Sequence, residues 1–159
     1  MLSQLDNDCR TLTKLHHKYI VGSAKKAIVI NVNMFICNFT YAVSKAIDSP
    51  SYKVYITSKA IKHLYDKKPA VEYDFILINL HKVIKYPDHI YLNKQGKRGN
   101  YCFTKTIDSK ILFCSLEIVN GENKPNENEW YVVTAFWVNE RYLKNYTLTW
   151  SWKGGMPSS

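Results

Sequence analysis

From Pro87 onward the chain breaks into five short runs rich in β-branched and aromatic residues: "HIYLN", "NYCFTKTI", "KILFCSLEIV", "EWYVVTAFWV" and "YTLTWSW". This series constrains the fold more than any other feature. Each run has strand length, and turn signals separate them, with "KQGKRGN" between the first two and "NGENKPNENE" between the third and fourth. Strands joined by short connections pair antiparallel. Such a sheet can pack one face on helices and leave the other to solvent or a ligand.

The half before Pro87 reads differently. "YKVYIT" alternates as a short strand, after which Thr57 or Ser58 caps a helix over 59–66 whose apolar side is Ile61, Leu64 and Tyr65. Pro69 opens a second helical run, "AVEYDFILINLHKVIK", with Val71, Phe75, Ile78 and His81 or Lys82 at helical spacing, and Pro87 stops it. Within residues 1–50, Leu5, Leu12, Leu15 and Tyr19 fit a loose helical face, and "IVINVN" alternates like a strand. "MFICNFTYAVSKAI" then returns to steps of three and four through Ile36, Phe39, Val43 and Ile47, a further helix that Asp48, Ser49 and Pro50 end. Helices followed by an antiparallel meander make an α+β domain. The 159 residues contain no repeat or long Gly/Pro linker, so residues 1–50, whose role is open, and the domain over 51–153 are expected to form one folded unit.

Lysine and arginine number 22 against 13 acidic residues, a formal charge of +9 that favours RNA, DNA or another polyanion as partner. Cys9, Cys37, Cys102 and Cys114 are far apart with no CxxC pair, which disfavours zinc and points to reduced thiols in a core. No apolar run approaches the ~20 residues of a membrane span, and "MLSQLDNDCR" lacks the basic and apolar order of a secretory leader. A cytoplasmic protein with no membrane partner, no cofactor and no metal site is the expectation.

Four places could carry chemistry. On the helix over 59–66, Lys59, Lys62, His63 and Asp66 share the side away from the apolar residues. Cutting RNA requires a base for the 2′-hydroxyl proton, an acid for the leaving 5′-oxygen and cations for the charge growing on the phosphate; an imidazole with lysines supplies all three kinds of group. The same residues also fit a solvated helix face. In "NKQGKRGNY", Lys94, Lys97 and Arg98 lie on a Gly-punctuated hairpin that ends at Tyr101, and residues 81–105 hold six basic side chains against one acidic. Arginine's planar fork makes Arg98 the preferred phosphate ligand, although a basic turn also serves solubility. His89 and Tyr91 begin the preceding strand and either face the same groove or cap that strand. In "WYVVTAFWV", Thr134 interrupts an apolar run, and its hydroxyl wants a partner unless it is an ordinary strand threonine. Among the late aromatics, Trp150 and Trp152 share one strand face and could stack on unpaired bases. The adjacent His16 and His17 have no acidic or thiol neighbour in sequence, so no metal is expected there.

The order strand, "TSKAIKH" helix, proline, strand, basic hairpin, two strands, long turn and a strand bearing "VVTAF" resembles the barnase-EndoU-colicin-RelE superfamily of small metal-independent ribonucleases, in its phage-associated and polymorphic-toxin branch. The likeness spans residues 52 to about 152. It implies N-terminal helices packed on one face of a roughly four-stranded antiparallel sheet, with RNA (tRNA or mRNA) bound across the other face and cut by 2′-hydroxyl transesterification. Carried over residue by residue, it implies catalytic roles for Lys59, His63, Arg98 and Thr134. Lys62, His89, Lys94, Lys97, Tyr101, Trp150 and Trp152 are the expected RNA contacts, and an immunity protein or antitoxin is a possible partner. Two readings of other classes stand beside it: a non-catalytic module that binds RNA or the ribosome, and a phage structural or interaction protein. A metal-dependent DNA nuclease is disfavoured, because no carboxylate cluster suited to a divalent ion is visible.

Overall fold

Alternation of buried and exposed residues builds one sheet of seven strands. In a computed structural model that describes residues 12–120 and 128–152, the strands are β1 (Asn33–Asn38), β2 (Lys53–Thr57), β3 (His89–Leu92), β4 (Tyr101–Ile107), β5 (Lys110–Asn120), β6 (Asn128–Val138) and β7 (Thr147–Ser151). Their order across the sheet is β1-β2-β6-β5-β4-β3-β7. Every pairing is antiparallel except β2 with β6, which run parallel with Val54 opposite Trp130 and Tyr55 opposite Tyr131. The α+β class holds, but the expected four-stranded antiparallel sheet is replaced by a seven-stranded mixed one. The five runs after Pro87 are all strands, and β1 and β2 extend the sheet beyond β6. The long turn expected within 121–127 lies outside the described residues, as do Leu5 and Cys9.

The helices are α1 (Tyr41–Ala46), α2 (Ser58–Lys67), α3 (Ala70–Lys85) and α4 (Glu140–Leu143), preceded by a π-helical turn over His16–Ile20. The single helix expected through Ile36, Phe39, Val43 and Ile47 is split. Asn33–Asn38 is strand, and Thr40 caps α1 by accepting the Val43 amide at 3.3 Å. All four apolar residues are nevertheless buried, because a strand that bends into a helix can aim them at the same core. Thr57 caps α2, its hydroxyl accepting the Ala60 amide at 3.0 Å.

Helices α2 and α3 and the N-terminal turn pack on the first face of the sheet. There Ile36, Val54, Ile56, Ile61, Leu64, Ile76, Leu80, Ile84, Ile90, Phe103, Leu112, Leu116, Trp130 and Ala135 form the main core. Each of the larger aliphatic and aromatic side chains among these, fully removed from water, contributes roughly 1.5–3 kcal/mol. On α3 Tyr73, Ile76, Leu77, Leu80, Val83 and Ile84 are buried; of the series noted at helical spacing in the sequence, Val71 and Ile78 are exposed, whereas Phe75 packs against the core and His81 is buried.

The second face is partly roofed. Residues 139–146, including α4, fold back so that Leu143 and Tyr146 pack with Cys102, Phe113, Tyr91, Phe136 and Val138 in a smaller cluster separate from the main core. Beyond it, toward β1, Phe35, Tyr55 and Tyr131 stand in a row with ring centroids 5.6 Å apart. Among the described residues no helix is long and apolar enough to cross a membrane.

Candidate functional site

Helix α2 starts directly where β2 ends and presents Lys59, His63 and Lys67 to solvent, one turn apart. Lys62 does not join them. It is only 4% exposed, and its ammonium donates to the Asp66 carboxylate at 2.5 Å and to the Ala24 carbonyl at 2.7 Å. The expectation of Lys62 as an RNA contact is therefore corrected. The turn over 20–27, which no local pattern tied to α2, covers that side of the helix and withdraws the charge. The hydrogen bond from Lys62, followed by that from the Lys26 amide, holds the Asp66 carboxyl below its ordinary range, and His63 adds the smallest effect.

The other sequence candidates scatter. Arg98 is held by Glu117 through Nε at 3.0 Å and Nη2 at 2.5 Å, so its fork already grips a carboxylate. Its loop is pinned from below. Gly99 has a φ of 113°, and a Cβ there would lie 3.1 Å from the Asn93 side chain and 3.4 Å from the Leu116 carbonyl. Lys97 is exposed on the same loop, and Lys94 sits 4.7 Å above the Tyr146 ring. Thr134 pairs with Ser115 on the second face, half-buried, some way along β6 from Tyr131, the rung of Glu117. Tyr101 turns to the first face, 6.0 Å from Trp130, which removes it from any ligand surface on the second. Trp150 packs against the main core, while Trp152, beside it at 6.2 Å, is exposed. Of the four expected catalytic residues, Lys59 and His63 share one exposed helix face, whereas Arg98 and Thr134 belong to other elements and Arg98 is already committed.

A second arrangement of polar groups lies in a cleft under α4. A cleft of about 300 Å³ on the second face is lined by Asp88, His89, Tyr91, Thr104, Thr106, Ile111, Glu140, Leu143 and Lys144. Pairing of β3 with β4 sets His89 opposite Thr104 and Tyr91 opposite Cys102, so His89 and Tyr91 project on one side, rings 6.1 Å apart. Ser151 on β7 holds the His89 ring through Nδ1 at 2.9 Å. Burial raises the Tyr91 phenol above its ordinary range, an effect that the neighbouring, almost wholly buried Thr104 partly offsets. Asp88 is already engaged: it accepts the Thr106 amide at 2.8 Å and lies 3.4 Å from the Lys105 ammonium. Across the cleft, Asn139 caps α4 by accepting the Tyr142 amide at 2.8 Å, which sets Glu140 and Lys144 at the rim.

The cleft thus brings together an imidazole oriented from behind, a carboxylate, an ammonium and hydroxyls. Sequence reasoning named His89 but missed Glu140 and Lys144. These come from "NERYLK", a polar connector whose only signal is the Asn cap followed by an acidic residue. Among the described residues no group of three or more His, Cys, Asp or Glu is placed to hold a metal ion. No protein-family model, curated protein or solved structure matches this chain.

Proposed function

We propose that the protein is a metal-independent endoribonuclease that cuts RNA by 2′-hydroxyl transesterification in the cleft beneath α4. The observation that supports it is the joint placement of His89, Glu140 and Lys144 around one cleft on a chain of charge +9. An ionised carboxylate can only accept protons, so Glu140 takes the proton of the 2′-hydroxyl. The 2′-oxygen attacks phosphorus, a 2′,3′-cyclic phosphate forms, and the P–O5′ bond breaks. Protonated His89 gives its proton to the departing 5′-oxygen, and the Lys144 ammonium offsets the charge on the phosphoryl oxygens. Ser151 orients the imidazole from its Nδ1 side, leaving Nε2 for substrate.

Helix α2 carries a histidine and lysines too. The carboxylate beside them, Asp66, is however taken up by the Lys62 ammonium and the Lys26 amide, and neither Lys62 nor Arg98 is free to assist. The test is incubation of the pure protein with tRNA and total RNA in EDTA, followed by mapping of the new ends. The expected result is 2′,3′-cyclic phosphate ends, made about 100-fold more slowly or worse by His89→Ala and Glu140→Gln and at the full rate by His63→Ala. Intact RNA in EDTA, or full cleavage by both cleft variants, overturns the proposal. Loss of cleavage in His63→Ala alone moves the chemistry to α2.

A further inference from the structure

Beside the cleft, the second face carries a row of cations and rings drawn from separate elements. The Lys68 ammonium, just past the end of α2, lies 4.8 Å from the centroid of the Phe136 ring on β6. Phe136 meets Tyr142 of α4 edge to face at 5.7 Å. Tyr142 lies 5.6 Å from Tyr146, tilted by 30°, and the Tyr146 hydroxyl donates to that of Tyr142 at 3.3 Å. The Lys94 ammonium, on the β3–β4 connection, closes the row 4.7 Å from the Tyr146 ring. Phe136 and Tyr146 are largely covered, whereas Tyr142 is 37% exposed, the one tyrosine of the row open to a ligand.

These two lysines, like Lys18, Lys45 and Lys110 elsewhere, lie over rings, whereas other cations pair with carboxylates. Lys62, Arg98 and Lys105 are each paired with a carboxylate, from Asp66, Glu117 and Asp88. Lys68 and Lys94 rest instead on aromatic faces, which orient an ammonium without neutralising it. The row is at most about 20 Å long, within the reach of a few nucleotides. It also adjoins the cleft, since α4 supplies Tyr142 to one and Glu140 to the other.

We infer that this row is a binding track for single-stranded RNA, in which Tyr142 stacks on one unpaired base and Lys68 and Lys94 hold phosphates on either side. The inference rests on the reading that RNA is the substrate of the neighbouring cleft. A duplex cannot use the track, because its base faces are hidden within the stack.

The probe is a fluorescein-labelled 2′-O-methyl oligouridylate of about 12 nucleotides, which has no free 2′-hydroxyl to attack its own backbone, with its duplex as comparison. Binding is read by anisotropy as salt is raised. The single strand is expected to bind more tightly than the duplex. Tyr142→Ala is expected to weaken it about 10-fold, while Tyr142→Phe, which keeps the ring, retains affinity. The double variant Lys68→Ala/Lys94→Ala is expected to reduce the slope of log K against log salt by about 1.4, roughly 0.7 for each phosphate that is no longer neutralised. Preference for the duplex, unchanged affinity in Tyr142→Ala, loss of affinity in Tyr142→Phe, or an unchanged salt slope in the lysine variant overturns the track. These readouts involve no cleavage. A protein that binds as described but leaves natural RNA uncut retains the track and loses the nuclease; one that cuts RNA with full affinity in Tyr142→Ala retains the nuclease and loses the track.

Discussion

Replacing Ser58 by alanine tests how α2 is anchored. Ser58 is wholly buried; its hydroxyl donates to the Ile30 carbonyl at 2.5 Å and accepts the Val32 amide at 2.9 Å, while its own amide donates to the Val32 carbonyl at 2.9 Å. One oxygen atom therefore ties the extended chain over 28–32 to the start of the helix. Ser58→Ala removes that atom and leaves no sizeable cavity, so the loss comes from the two hydrogen bonds. At roughly 1 kcal/mol each it amounts to about 2 kcal/mol, rising toward about 3 where the Val32 amide finds no water in exchange. The neighbouring Thr57→Ala removes only the cap on the Ala60 amide and costs about 1 kcal/mol. In a chain of this size each kcal/mol moves the melting temperature by about 2–4 °C, so Ser58→Ala lowers it by about 4–8 °C and Thr57→Ala by about half as much. Thermal and urea melts of the two variants measure the ranking, and hydrogen exchange at the Val32 amide reports the anchor itself. If Thr57→Ala is the more damaging change, or the Val32 amide exchanges at its original rate in Ser58→Ala, the anchoring argument fails.

Three further outcomes follow from the electrostatics. Glu117→Gln releases Arg98 from its ion pair and is expected to raise affinity for single-stranded RNA with a salt slope steeper by about 0.7; anisotropy titration checks it. Burial, and then the neighbouring His17, hold the His16 imidazole below its ordinary value of 6.5. The unfolded chain therefore takes up more protons as pH falls through about 6.5, and stability declines from there downward. His16→Gln, which keeps a partner for the Tyr73 hydroxyl now 2.8 Å from His16, is expected to flatten that decline in urea melts between about pH 7 and 5. Cys37, Cys102 and Cys114 are buried; burial pushes the Cys102 thiol up to about 12 and that of Cys114 well above its ordinary range. In a Cys9→Ser background, Ellman's reagent at about pH 8 is expected to react with no thiol until the protein unfolds, and a rapid phase in native buffer contradicts the core packing.

Sequence alone determined the local geometry wherever the physics is local. The runs after Pro87 could only be strands, because β-branched and aromatic residues between turn residues leave little else. Pro69 and Pro87 bracket α3, and Thr57 starts α2 through a cap that acts within three residues. The net charge, and with it the polyanion reading, is a property of the composition. Tertiary structure decided which faces meet. The parallel pairing of β2 with β6 joins Val54 to Trp130, residues with no pattern between them, and it turns the N-terminal β1 into the edge of the same sheet. On α3 packing on the sheet buries Tyr73 and Ile76 rather than Val71 and Ile78. Lys62 and His63 are neighbours in sequence, yet a turn from residues 20–27 closes over one and leaves the other in water. The cleft and the aromatic row depend on such meetings throughout: His89 with Glu140, and Lys68 with Phe136. Periodicity and capping act over one or two turns of chain, whereas burial and charge pairing are settled by whatever the folded chain brings alongside.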